Sequence, residues 1–285
     1  MHAVNYADLS NYADVGATVL NTLEHEGFML LSGSCSLQQF KALSNAVTRD
    51  FMPYIGGSNH GRKVVDESGR IMTAPGGKHN GTIQLHGEMC YQNSRPDVLF
   101  FYCETPAQSG GETIFADGIE LYEKISKDPD LQNLLSKRVC YHRKRTPDVW
   151  KSLYSTQDKQ AVIDYCEREG IEAMFSTGDV LLTRYVDTLV HRSIWNHKQV
   201  FINNLLGFAQ NSKKKGEIYS WITFADNSEI PEYLISRLQK IVTRYTKKLK
   251  MKKNDTLILD NRRMLHGRIS FSDENRKILL RMGLH

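Results

Sequence analysis

The sequence predicts a mainly β protein with flanking helices, an α+β fold, and three observations carry that reading. Short continuous or alternating apolar runs, the signature of strands, dominate both ends of the chain. Helical periodicity is concentrated in the middle. No strand–helix–strand rhythm runs through the sequence, so a parallel sheet is not expected. At 285 residues the chain suits one domain spanning residues 1–285. Its core strands should lie mainly in residues 80–117 and 179–285, with a helical insertion at about 118–250.

Taken in order, residues 14–25 read as a short helix with Val15, Val19, Leu20 and Leu23 on one face and Gly27 at its end. Phe28-Met29-Leu30-Leu31 reads as a buried strand, and Ser36 as the N-cap of a second helix carrying Leu37, Phe40, Leu43 and Val47. Residues 53–81 are rich in Gly, Ser and Asn and long for a loop; such a loop is either a substrate cover or a surface linker. Thr82-Ile83-Gln84-Leu85 and Val98-Leu99-Phe100-Phe101-Tyr102 are strand signals, separated from Glu112-Thr113-Ile114-Phe115 by a Gly-Gly turn. Residues 118–136 and 156–169 are helical by pattern, with possible strands at 139–142, 179–183 and 199–202. Pro231 opens a helix expected to reach about residue 249, on whose apolar face lie Leu234, Leu238, Ile241 and Tyr245. Residues 255–260 (DTLILD) and 277–283 (KILLRMG) are the last strands.

Composition narrows the function classes. A net charge of +5 is mild, and much of the excess sits in Lys213-Lys214-Lys215 and in residues 247–253. These are solvated surface or, on a sharper reading, contacts for an acidic carrier protein. No arginine-rich, aromatic-interleaved patch speaks for nucleic acid. Five cysteines with no Cys-x-x-Cys disfavour a disulfide framework or a zinc knuckle and fit a reducing cytoplasm. No basic-then-apolar leader opens the sequence, and no apolar run approaches the roughly 20 residues that span a bilayer. No Gly-x-Gly-x-x-Gly follows a strand, so a dinucleotide fold has no support.

The chemistry concentrates in residues 82–117. His86 and Glu88 are two metal ligands one residue apart, and on a strand positions i and i+2 share a face. His266, after the DTLILD strand, is the candidate third ligand. Two His and one carboxylate with open positions form the facial triad of non-haem Fe(II) oxygenases. Two other readings stand beside it: a zinc hydrolase using the same ligands, which needs a separate general base, and a non-catalytic binding protein.

The pattern His86-Gly87-Glu88-Met89-x-Tyr91, then Pro106-Ala107-x-x-Gly110-Gly111-Glu112-Thr113, then Ala116-Asp117, resembles the taurine dioxygenase / clavaminate synthase-like superfamily of Fe(II)- and 2-oxoglutarate-dependent oxygenases. Phe224-Ala225-Asp226, Leu259-Asp260-Asn261, His266-Gly267-Arg268 and Arg276-Lys277-Ile278-Leu279 extend the likeness across roughly residues 80–285. It is nearest to the branch with hydroxylases of nonribosomal peptide pathways. The resemblance implies a double-stranded β-helix (a jelly-roll, cupin-like core), Fe(II) on His86, Glu88 and His266, and 2-oxoglutarate and O2 as co-substrates. Thr113 would contact the 2-oxoglutarate carboxylate, and a basic residue near the C-terminus would pair with its C5 carboxylate. Arg276 fits that role best; Lys277 fits a second alignment, and residues 277 and 281 share a strand face that 276 does not. Arg281 is then a substrate contact or a surface arginine, and Tyr91 and Asn93 are candidates to line the substrate pocket. No catalytic residue beyond the metal ligands is implied. Glu88 points away from halogenation, since related halogenases lack that carboxylate. The implied partner is a small-molecule substrate or an aminoacyl carrier protein, with no nucleic acid and no membrane; the oligomeric state is open. Asp117 reads as a turn or cap, and His79, His142, His191 and His197 as structural or surface residues.

Overall fold

The computed structural model describes residues 3–5, 8, 14–33, 35–57, 62–75, 80–212 and 219–285. His79 and the Lys213-Lys214-Lys215 run lie outside the described residues. After strand β1 (Ala3–Asn5), Asp14 caps helix α1 (Val15–Glu26) by accepting the Ala17 N–H at 2.9 Å, and Gly27 ends it. Strand β2 (Phe28–Ser32) leads to α2 (Leu37–Val47). A capping box starts that helix: Gln39 N–H donates to the Ser36 hydroxyl at 3.2 Å, and Ser36 N–H to the Gln39 side chain at 2.8 Å. Both helices and the strand between them follow the sequence reading.

Strands β3 (Asp50–Phe51), β4 (Met72–Thr73), β5 (Ile83–His86), β6 (Val98–Thr105) and β7 (Thr113–Asp117) come next. Near the C-terminus are β15 (Thr256–Asp260), β16 (Met264–Arg268) and β17 (Lys277–Leu284). A seven-stranded sheet runs β1-β2-β15-β6-β17-β3 with β4 also on β17, and every pairing except β1–β2 is antiparallel. On β6 the side chains of Leu99, Phe101 and Cys103 enter one apolar cluster, and those of Val98, Phe100 and Tyr102 another that includes α1 and α2. Both faces are covered, so the strand reads as an unbroken apolar run. A four-stranded antiparallel sheet, β14-β7-β16-β5 with β14 at Lys247–Leu249, packs on the first face; the Phe28 and Phe115 rings meet there at 5.0 Å.

Residues 118–250 correct the expectation of a helical insertion. They hold α3 (Gly118–Ile125), α4 (Pro147–Tyr154), α5 (Lys159–Arg168), α6 (Leu205–Ser212) and α7 (Glu232–Tyr245). Between these lie β8 (Arg138–Arg145), β9 (Glu172–Ser176), β10 (Val180–Thr188), β11 (Val190–Arg192), β12 (Gln199–Phe201), β13 (Ser220–Phe224) and β14 (Lys247–Leu249). A third sheet runs β13-β8-β10-β9. Its alternation was masked in sequence because inward positions of β8 are Arg143 and Arg145, buried side chains that read as surface. Helix α3 stops at Ile125, short of residue 136, with Pro129 soon after; the residue before a proline resists helical geometry. Helix α7 ends at Tyr245, four residues early, because Lys247–Leu249 pairs with the edge of β7. Among the described residues no helix is long and apolar enough to cross a membrane, and all five cysteines are buried and unpaired.

Candidate metal centre

Two paired strands bring the imidazoles together. His86 ends β5 and lies directly across from His266 on β16, with ring centroids 4.4 Å apart. Gly267 permits the approach: a Cβ there would lie 2.4 Å from the Ile83 carbonyl oxygen. His86 Nδ1 donates to the Gln84 carbonyl at 2.8 Å, which leaves Nε2 with its lone pair. His266 packs at a tilt against Phe101, centroids 5.4 Å apart, and its Nδ1 is buried with no hydrogen-bond partner among the described residues.

Glu88 joins them by a different route from the one strand periodicity suggested. Strand β5 stops at His86, and Glu88 sits in the following turn, where Met89 takes φ 58°. Asn261, just past β15, fixes that turn: its Oδ1 accepts the Glu88 N–H at 2.8 Å and its Nδ2 donates to the Glu88 carbonyl at 3.1 Å. One ligand atom from each of His86, Glu88 and His266 falls within 4.8 Å of the others. The geometry brings the predicted triad together.

The protonation states suit a cation. Burial, with the neighbouring His266, pushes His86 down to about 4, so its imidazole is neutral at physiological pH. Burial alone would raise the Glu88 carboxyl; the Arg62 guanidinium, with His266 and His86, outweighs it and holds Glu88 well below the usual carboxylate range. Arg62 Nη2 donates to Glu88 Oε2 at 2.9 Å, and its guanidinium lies 3.9 Å from the Tyr54 ring centroid. The segment read as a cover or a linker therefore reaches the ligand. A neutral His86 imidazole beside an ionised Glu88 carboxylate suits a facial Fe(II) site.

A second cluster lies at the near end of the four-stranded sheet. Thr113 opens β7 opposite Arg268, its hydroxyl 3.7 Å from the Met251 sulfur. Arg268 donates to the Pro75 and Gly81 carbonyls, and its guanidinium sits 4.7 Å from the Phe271 ring centroid; Arg276 shares that ring at 5.3 Å. Burial pushes Arg276 down to about 10, and its guanidinium has no hydrogen bond or ion pair among the described residues. Lys277 turns away to pair with Glu104 at 2.6 Å, across a bulge in the β6–β17 ladder.

Arg281 corrects its reading as a substrate contact. It alternates with Leu279 toward α2, donating to the Ser44 hydroxyl at 2.6 Å and to Asn45 Oδ1 at 2.7 Å, and lies over the Phe51 ring. Asn93 is exposed and does not line the cavity that Tyr91 lines; its N–H donates to the Glu169 carbonyl and its side chain accepts from the Tyr185 hydroxyl. Tyr91 does line a cavity, with Tyr141, Arg143, Arg145, Tyr154, Ile171, Thr183 and Tyr185. Asp117 caps α3 through the Ile119 N–H at 2.9 Å and pairs with Arg263, as its reading as a cap implied. Sequence reasoning missed Arg62, Asn261 as a clamp, and the Arg143/Arg145 pair; the last was signalled by two arginines one residue apart in a strand.

Comparisons with known proteins agree with this centre. The family model described as Taurine catabolism dioxygenase TauD, TfdA family matches residues 2–282. A clavaminate synthase-like protein of Arabidopsis thaliana is 27% identical over 284 residues, covering 91% of this chain and 82% of its own length. The dapdiamide synthesis protein DdaC of Enterobacter agglomerans is 22% identical over 252 residues, covering 83% and 75%. Among solved structures, PvcB of Pseudomonas aeruginosa, an Fe, alpha-ketoglutarate dependent oxygenase from an isonitrile synthetic pathway, superposes with a TM-score of 0.56 at 13% identity, covering 95% of this chain and 80% of that one.

Proposed function

The chain belongs to the taurine catabolism dioxygenase TauD, TfdA family, whose cofactors are Fe(II), 2-oxoglutarate and O2, and from that premise we propose that it hydroxylates an unactivated C–H bond of a small amino-acid-like or carrier-bound substrate. The observation that carries this reading is the convergence of His86, Glu88 and His266 from two paired strands and a clamped turn. The names of two relatives, one in dapdiamide synthesis and one in an isonitrile pathway, favour a place in secondary metabolism. The antiparallel two-sheet sandwich supports a jelly-roll core in one domain, and the five unpaired cysteines support a cytoplasmic setting.

His86, Glu88 and His266 would hold the iron. Bound there, Fe(II) would supply oxidation chemistry with 2-oxoglutarate and O2 as co-substrates, succinate and CO2 being the co-products of a hydroxylation. The Gln84 carbonyl orients His86, and Asn261 holds Glu88 in register. Arg276, buried and with no side-chain hydrogen bond among the described residues, takes the C5 carboxylate of 2-oxoglutarate, and Thr113 donates its hydroxyl to the same co-substrate. Phe101, buried against the His266 ring, keeps water from that side of the imidazole. Retention of Glu88 favours hydroxylation or desaturation over halogenation.

The test is O2 consumption coupled to succinate release, screened over free amino acids and aminoacyl carrier proteins. Anaerobic addition of Fe(II) and 2-oxoglutarate should give a weak visible charge-transfer band, absent from His86→Ala. Zinc-dependent turnover without O2, or full activity in His86→Ala, would overturn the assignment.

A further inference from the structure

We propose that Phe271 is a positioning residue for the co-substrate: its ring holds the Arg276 guanidinium in the orientation from which the fork meets the C5 carboxylate of 2-oxoglutarate. The role rests on the reading of Arg276 as the partner of that carboxylate and goes beyond it by naming what aims the fork.

Strand β16 ends at Arg268, and the chain beyond it is tied to the turn before β7. Ile269 N–H donates to the Glu112 carbonyl at 2.9 Å, Gly111 N–H donates to the Ser270 carbonyl at 3.1 Å, and Gly110 forms an antiparallel bridge with Phe271. A Cβ on Gly110 would lie 2.2 Å from the Ser270 carbonyl oxygen, so glycine is what allows the approach. The Phe271 N–H donates in turn to the Asn80 carbonyl at 3.0 Å. The Phe271 backbone is thus fixed by two segments, and its side chain is buried. Arg276 stands just before β17, its own N–H on the Asp273 carboxylate at 3.1 Å.

Two buried cations share the ring, the Arg268 guanidinium at 4.7 Å from its centroid and that of Arg276 at 5.3 Å. They are fastened differently. Arg268 donates to the Pro75 and Gly81 carbonyls. The Arg276 guanidinium has no hydrogen bond or ion pair among the described residues, so packing sets where it points, on the Phe271 ring and the bare Gly111 backbone. A cation over an aromatic face is attracted by the ring's quadrupole, most strongly where water is excluded. That attraction acts on the face of the guanidinium and uses none of its N–H donors. The fork therefore stays open to a carboxylate in its own plane. A carboxylate side chain in the same place would orient the guanidinium and consume its donors together. Burial pushes both guanidiniums down to about 10, and the electron-rich ring face offsets part of that cost.

The test is calorimetry of 2-oxoglutarate binding to the full-length, Mn(II)-loaded protein without O2. Mono-, di- and trifluorinated phenylalanines at position 271 keep the ring's shape and drain negative charge from its face. Rising fluorination should weaken 2-oxoglutarate binding stepwise, because a ring that attracts the guanidinium less leaves a smaller fraction of Arg276 in the competent orientation. Phe271→Leu should weaken it about 2–30-fold, the range of a cation–π contact, and Phe271→Tyr should keep most of the native affinity. In an Arg276→Met background, neither Phe271→Leu nor the fluorinated series should change the affinity that remains. Melting curves establish that each variant folds; should Phe271→Leu not fold, the fluorinated series decides. Unchanged or tighter binding along the fluorinated series, or the same losses in Arg276→Met, overturns the positioning role and leaves Arg276 its carboxylate. Native 2-oxoglutarate affinity in Arg276→Met would instead sink the reading of Arg276 itself, and the role of Phe271 with it.

Discussion

Asn261 holds Glu88 by the backbone on both sides, accepting its N–H at 2.8 Å and donating to its carbonyl at 3.1 Å. A third bond from Nδ2 to the Pro96 carbonyl, at 2.8 Å, anchors the clamp. The two residues are far apart in sequence, and the ligand turn has little rigidity of its own without them. Asn261→Ala removes three buried hydrogen bonds, and should cost about 2–3 kcal/mol of stability. Because it frees a ligand's backbone, it should also weaken metal binding about 10–100-fold, the range for residues that orient ligands. Calorimetry with Mn(II) and urea unfolding separate the two effects; a stability loss with unchanged metal affinity would deny Asn261 the orienting role.

Arg62 predicts an asymmetry between metal-free and metal-loaded protein. Without metal, the Arg62 guanidinium is the nearest compensation for the buried Glu88 carboxylate. Arg62→Met should destabilise the metal-free protein by about 3–5 kcal/mol, the usual range for breaking a buried pair. A bound cation compensates Glu88 in its place, so the loss should shrink in the Mn(II)-loaded protein. Equal losses in the two forms, read as melting shifts, would argue against this substitution.

Legibility in the sequence followed the kind of physics involved. The metal triad was legible because ligand chemistry is carried by residue type, and His86, Glu88 and His266 converge as expected. The local reason offered for Glu88 was wrong, since a turn held by Asn261, and not strand periodicity, aims it. Continuous apolar strands such as Val98–Thr105 were plain, because burial on both faces leaves no ambiguity. The third sheet was only partly legible, since its inward face mixes Tyr141 with Arg143 and Arg145. Helix α4 was missed although Pro147 stands at its first turn, since Lys151 and Ser152 interrupt the apolar pattern. Arg281 read as a substrate contact or a surface arginine because the two faces of its strand meet different layers, and only the packed sheet shows which face covers α2.

Arg276 and Arg281 should separate cleanly. Arg276→Met removes the partner proposed for the C5 carboxylate and should raise the KM for 2-oxoglutarate by about 30-fold or more, as truncation at a buried charge pair does. The same change removes a guanidinium whose burial outweighs the pull of Cys103 and Asp273, so the co-substrate-free protein should be as stable as the native one or more so. Arg281→Met breaks bonds to Ser44 and Asn45, and should lose about 1–3 kcal/mol with the KM unchanged. The reverse pattern would assign the carboxylate to Arg281.

Gly111 gives an independent check on that cluster. It takes φ +71°, and a Cβ there would lie 2.8 Å from the Ala107 Cβ and 3.2 Å from the Arg276 Cδ and Nε. Gly111→Ala should cost about 1–3 kcal/mol from backbone strain. By displacing the Arg276 side chain it should also raise the KM for 2-oxoglutarate. A destabilised variant with native KM would place Arg276 outside the co-substrate site.

The pH dependence of the metal-free protein sets two buried groups against each other. His86 is pushed down to about 4 by burial and His266, so between that value and 6.5 the unfolded chain binds a proton that the folded chain refuses. Its contribution is therefore complete above 6.5 and lost as pH falls toward 4. Glu88, also depressed, has the same sign and loses its contribution further into acid. Asp260 has the opposite sign. Burial pushes its carboxyl up to about 7 from 3.8, so its contribution is complete below 3.8 and lost as pH rises toward 7. Over roughly pH 4–6.5 the His86 and Asp260 slopes, each at most about 1.4 kcal/mol per pH unit, oppose each other. Asp260→Asn should uncover the His86 slope, so that the variant loses stability on acidification from pH 6.5 to 4. His86→Gln should uncover the Asp260 slope, so that this variant gains stability over the same fall. Urea midpoints at half-unit pH steps in chelator measure both, and parallel slopes in the two variants would show that neither group titrates as its burial requires.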